Sequence, residues 1–141
     1  MNKLVFFLMF VMALTGCKNK GGKQLTEQSM TPHPGKVIYD RYCLACHQTD
    51  GSGVPGLYPP LRKADWKTLD SEKLINILLQ GVSGEIEVDG MIYNGQMPAH
   101  QFLTDEQIAD VLTYLRSEYG NIRKEITPVE VSSMRGTIQN N

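Results

Sequence analysis

Five residues, Cys43-Leu44-Ala45-Cys46-His47, constrain this chain more than any other feature. A Cys-x-x-Cys-His run reads as a site of covalent haem attachment. On a helical turn, residues three apart share a face, so both thiols can reach the two vinyl groups of one porphyrin edge as thioethers. His47, next in line, then projects toward the iron. Two plainer readings fit less well. A thioredoxin-like redox pair needs strands and helices alternating around it, and half of a zinc site needs a second ligand pair, whereas the remaining imidazoles, His33 and His100, form no paired motif. The expected cofactor is therefore one haem c, bound through Cys43 and Cys46.

The 141 residues do not read as one fold. Asn2-Lys3 is a short basic start, Leu4 to Leu14 is almost wholly apolar, and Leu14-Thr15-Gly16-Cys17 follows, the order of an export signal. The segment is shorter than the roughly 20 apolar residues a membrane-spanning helix needs. Its last four residues resemble the lipobox of bacterial lipoproteins, in which the signal is cut before a cysteine that is then acylated. Residues 1–16 are accordingly expected to be the signal peptide and Cys17 the lipidated first residue, against an ordinary secretory signal or an uncleaved anchor. Cysteine usage agrees with that: Cys43 and Cys46 are taken by haem, so Cys17 is the odd one left, and no disulfide is expected. Several acyl chains, each buried methylene contributing about 0.8 kcal/mol, would hold the protein on the periplasmic side of a membrane. Residues 17–33 are polar and read as a flexible tether with a reach of about 20 to 25 Å.

The globular part is expected over residues 34–120, where a protein-only core would be marginal and a haem would complete it. That stretch holds seven Lys and Arg against twelve Asp and Glu, which disfavours nucleic acid as a partner. Three helices are expected. The first, Lys36 to Cys46, carries Ile38, Tyr39 and Tyr42 and delivers the haem motif at its end. The second, Ser71 to Gln80, has Asp70 as N-cap and Gly81 as a stop. The third starts with the capping box Thr104-Asp105-Glu106-Gln107, continues through Ile108, Val111, Leu112, Leu115 and Tyr119, and should pack across the first. Residues 121–141 read as a loosely packed tail, with wrapping of a partner as the alternative.

Between the second and third helices, alternation around Asp89-Gly90 signals a β-hairpin over Glu85 to Asn94. It leads into Asn94-Gly95-Gln96-Met97-Pro98. Asn-Gly favours a turn, and Pro98 biases Met97 away from helical backbone, so Met97 should sit on an extended loop able to aim its sulfur at a metal. A core-filling methionine is the ordinary fate of that residue. With a haem inferred, Met97 becomes the expected sixth ligand, with Met91, His100 and His33 as alternatives.

Together these residues resemble a class I cytochrome c over nearly the whole domain: Gly35 and Tyr39, the Cys43–His47 motif, Asp50-Gly51-Ser52-Gly53, Tyr58-Pro59-Pro60-Leu61, the Met97 loop, and Val111-Leu112-Thr113-Tyr114-Leu115. The hairpin and Met-Pro loop are similar to cytochrome domains serving periplasmic dehydrogenases, copper nitrite reductases and terminal oxidases. The resemblance implies an all-α fold of three main helices around one covalent haem, with the hairpin before the ligand loop. It implies thioethers at Cys43 and Cys46, axial ligands at His47 and Met97, and a carbonyl of Pro59 or Pro60, with Pro60 chosen, accepting the His47 Nδ1 proton. Trp66 and Arg62 could reach a haem propionate, but a half-buried core edge and a solvated charge explain them as well. A His and Met pair leaves no place for substrate, so the implied role is an electron carrier between a redox donor and acceptor rather than an enzyme. The contrasting reading is a haem enzyme or gas sensor with an open or labile sixth site.

Overall fold

The computed structural model describes residues 32–65 and 69–139. Cys17, the signal segment, nearly all of the tether and Trp66 lie outside the described residues.

Helix α1, Pro34–Tyr42, starts at a Pro whose missing N–H costs nothing in the first turn, and His33 caps it: the Gly35 N–H donates to His33 Nδ1 at 3.1 Å. Sequence pattern suggested one helix from Lys36 to Cys46. The chain instead bends at Cys43 (φ −113°) and resumes as the single turn α2, Leu44–His47. Bonds from Cys43 N–H to the Tyr39 carbonyl and from His47 N–H to the Cys43 carbonyl, both 2.9 Å, keep the two pieces joined. Gln48, at φ 64°, ends the turn.

A 3-10 turn at Leu61–Lys63 precedes α3, Ser71–Gln80. The Asp70 carboxylate caps α3 by accepting from the Lys73 N–H at 2.8 Å, and Gly81 stops it at φ 75°. Helix α4, Asp105–Gly120, opens on the reciprocal pair expected of a capping box, with Gln107 N–H to Thr104 Oγ1 at 3.2 Å and Thr104 N–H to Gln107 Oε1 at 3.0 Å. As the spacing required, α4 buries Ile108, Val111, Leu112 and Leu115, while α3 buries Leu74, Ile75, Leu78 and Leu79. Each such side chain contributes about 1.5 to 3 kcal/mol relative to exposure. Helix α4 packs on α1, and Gly35 permits the approach: a Cβ there would collide with the Asp110 carbonyl of α4.

The hairpin forms where expected. Strands β1, Ile86–Val88, and β2, Met91–Tyr93, are antiparallel with Ile86 opposite Tyr93 and Val88 opposite Met91. Asp89 (φ 53°) and Gly90 (φ 75°) make the two-residue connection, both positive as a type I′ turn requires. The Asn94-Gly95 pair, expected as a turn, is irregular instead, with the Asn94 N–H bonded to the Gly56 carbonyl at 3.2 Å.

The C-terminal segment departs from expectation. In place of a loose tail it forms α5, Pro128–Gln139, packed on α3 and α4. Val131 is fully buried, Ile126 nearly so, and Met134 and Ile138 pack against the core. Among the described residues no helix is long and apolar enough to cross a membrane.

Candidate functional site

Helices α1 to α4, strand β1 and the loops around Pro59 and Met97 line a cavity of about 380 Å³, within the usual range for ligand pockets. Its walls are dominated by Leu74 and Leu78 of α3 and Val111, Leu112 and Leu115 of α4. Cys43, Cys46, His47 and Met97 all border the same space.

Cys43 and Cys46 are not joined to each other as a disulfide. Burial, and then the neighbouring Cys46, push the Cys43 thiol up to about 11. A redox-active Cys-x-x-Cys needs the opposite shift, toward thiolate, so the electrostatics argue against that reading of the motif.

His47 is buried, and its ring is oriented by the loop that follows it. Nδ1–H donates to the carbonyl of Pro59 at 3.1 Å. That corrects the choice of Pro60, whose carbonyl is not the acceptor. The geometry has a local cause: the Gly53 N–H returns to the His47 carbonyl at 3.1 Å, and Gly53 (φ 66°) lets the chain pass so close to Tyr58 and Pro59 that any Cβ would strike their carbonyls. Spacing alone could not separate two adjacent prolines. Because Nδ1 holds the proton, neutral His47 keeps the Nε2 lone pair available. Burial chiefly, opposed by the Pro59 bond and aided by His100, holds the His47 pKa below its ordinary range, favouring the neutral ligand form.

Met97 is fixed at its backbone. Its N–H donates to the Val82 carbonyl and its carbonyl accepts from the Val82 N–H, both at 2.9 Å, an extended bridge in keeping with the restriction Pro98 imposes. Of the alternatives, Met91 is on the hairpin, about half exposed and away from the cavity wall, and His33 is the cap of α1. His100 does line the cavity, with its Nδ1 buried and, among the described residues, unbonded. Arg62 pairs with Asp50 at 3.1 Å on the surface, both side chains more than half exposed.

The residues fit a haem. A large apolar chamber carries two thiols three residues apart, an imidazole whose Nδ1 is already satisfied and a thioether on a rigid loop, and among the described residues no three His, Cys, Asp or Glu gather as a zinc site would require.

The cytochrome c family model matches residues 32–118. Over 110 residues the chain is 40% identical to cytochrome c-552 of Thermus thermophilus, an alignment covering 72% of this chain and 83% of that protein. Over 109 residues it is 37% identical to the gluconate 2-dehydrogenase cytochrome c subunit of Pantoea cypripedii, covering 72% of this chain but 24% of the subunit. It is 31% identical over 108 residues to the cytochrome c subunit of the quinone alcohol dehydrogenase of Gluconacetobacter polyoxogenes, covering 74% of this chain and 23% of that subunit. The chain belongs to the cytochrome c family. It is a class I electron-transfer protein with covalently bound haem c, not a catalyst in its own right, and its helices with one small two-stranded sheet are that family's fold.

Proposed function

We propose that this protein is a membrane-tethered monohaem cytochrome c that passes single electrons between redox partners, with Cys43 and Cys46 as the thioether residues and His47 and Met97 as axial ligands of the iron. The observation that carries the ligand assignment is the His47–Pro59 hydrogen bond: it commits Nδ1 and leaves Nε2 for a metal, in a cavity that also bears Met97. Bound haem supplies a one-electron iron couple. The chain's part is to hold both axial donors on fixed backbone, so that little rearranges between the two oxidation states, and to wrap the site in low-dielectric side chains. His47 is held by the Pro59 carbonyl and Met97 by Val82, so each donor is positioned by hydrogen bonds of its own loop.

The tether reading rests on Leu14-Thr15-Gly16-Cys17 and the polar residues after it. Lipid on Cys17 would keep the haem domain on the periplasmic side of a bacterial membrane while residues 17–33 let it move between neighbours. The relatives named as dehydrogenase subunits favour a dehydrogenase as one redox partner, among the dehydrogenases, reductases and terminal oxidases that such domains serve.

Two measurements test this. The full-length ferric holoprotein, purified in detergent, should show the weak sulfur-to-iron absorption band and lose it in Met97→Ala; a wild-type protein without that band would refute the ligand assignment. Mass spectrometry of the purified protein should find Cys17 as its first residue and carrying acyl chains, and an unacylated Cys17 would refute the lipid anchor.

A further inference from the structure

One imidazole has no task in the scheme above. The chain holds three histidines. His33 caps α1 and lies against Tyr114, and His47 is committed to Pro59. His100 is 7% exposed, and its Nδ1 is buried with no hydrogen-bond partner among the described residues. An unpaired polar atom inside a protein is unfavourable enough to need a reason, and the apolar cavity wall offers it none. The ring is set beside Phe102, 5.7 Å between centroids, and Phe102 is edge-on to Tyr42 of α1 at 5.3 Å. The backbone is fixed as well: the His100 N–H donates to the Leu78 carbonyl at 2.7 Å, and its carbonyl accepts from the Leu103 N–H at 3.1 Å.

A nitrogen donor is thus held in the wall of the haem chamber, on the loop that carries Met97 and three residues beyond it. Neutral imidazole is a common metal ligand, and the His100 main chain is anchored on the loop that carries Met97.

We propose that His100 is a reserve ligand for the haem iron, taking the sixth position when the Met97 sulfur is not there. The proposal rests on the assignment of Met97 as the resident ligand. Loss of the thioether then leaves a six-coordinate, low-spin iron with two imidazoles, closed to small gases and shifted to lower potential, since the Met ligand is what raises it. The protein would lose its working potential without acquiring an open, reactive site.

The test compares full-length holoproteins: wild type, Met97→Ala, His100→Phe and the double variant, with Met97→Leu as a milder replacement where Met97→Ala does not fold. Ferric spin state and carbon monoxide binding to the ferrous form are read for each. His100→Phe should keep the sulfur-to-iron band. Met97→Ala should be low-spin and bind carbon monoxide at least tenfold more weakly than the double variant, which should be high-spin. Equal high-spin content and equal carbon monoxide affinity in the single and double variants would overturn the proposal. A different failure is recognisable too: a wild type that lacks the sulfur band and becomes high-spin with His100→Phe alone would make His100 the resident ligand, sinking both this proposal and the Met97 assignment.

Discussion

His47 has two ring nitrogens, and the fold spends one of them on protein so that the other can face the cavity. The device depends on Gly53, whose positive φ and missing side chain let the chain close on Pro59. Gly53→Ala should therefore cost at least about 1 to 2 kcal/mol from the left-handed backbone alone, with more from the blocked contact, and thermal unfolding of the holoprotein would show it. An unchanged melting temperature would mean that the loop tolerates another route past His47. The residues of this site were legible to different degrees. Cys43, Cys46 and His47 stand out by spacing, and the extended backbone of Met97 was signalled by the proline after it. The Pro59 contact was legible only as a choice between neighbours, because a carbonyl's direction is set by the turn and not by residue identity. The isolation of His100 could not be read at all, since it depends on what the tertiary fold withholds from one nitrogen.

At the scale of elements, α3, the hairpin and α4 follow from caps, stops and periodicity that act within a few residues. The break at Cys43 did not, because helical hydrogen bonds continue across it and the sequence carries no Gly or Pro there. Helix α5 was missed although its start is written plainly: Thr127-Pro128-Val129-Glu130 is a capping box with Pro in the first turn, and Thr127 N–H and Oγ1 both donate to Glu130 Oε2, at 2.7 and 2.8 Å. Those bonds, the backbone one first, hold the Glu130 carboxyl below its ordinary value. A depressed carboxylate stabilises the fold above the unfolded value near 4.5 and loses that contribution as pH falls through the lower folded value. The wild-type melting temperature should accordingly exceed that of Glu130→Gln by a small margin at neutral pH, and the margin should close in acid; a constant difference would contradict the cap. Helix α5 is also fastened by Arg135, which bonds Asp105 Oδ1 and the carbonyls of Gln101 and Leu103, each at 2.9 Å. Arg135→Ala should cost about 1 to 3 kcal/mol in chemical denaturation, and Lys should restore only part of it because one ammonium cannot meet three spread acceptors.

For the molecule as a whole, one chamber among the described residues brings the proposed haem-binding residues together. Tyr39, Ile75, Leu79, Ile108, Val111 and Val131 form a fully buried core, but a chamber of about 380 Å³ beside it is lined by Leu side chains that haem must cover. The sequence suggested this dependence through size alone, since so small a domain buries too little without help. Protein expressed with Cys43→Ala and Cys46→Ala, and free of haem, should lack a cooperative thermal transition; a sharp one would show that the polypeptide core suffices. The central claim is that this is a closed carrier, with both axial positions filled from its own chain. It is tested most directly by adding carbon monoxide to the ferrous wild-type holoprotein. An unchanged spectrum is the result expected of His47 and Met97 in place; ready formation of a carbon monoxide complex would mean an open sixth site, and with it a haem enzyme or a gas sensor instead of a carrier.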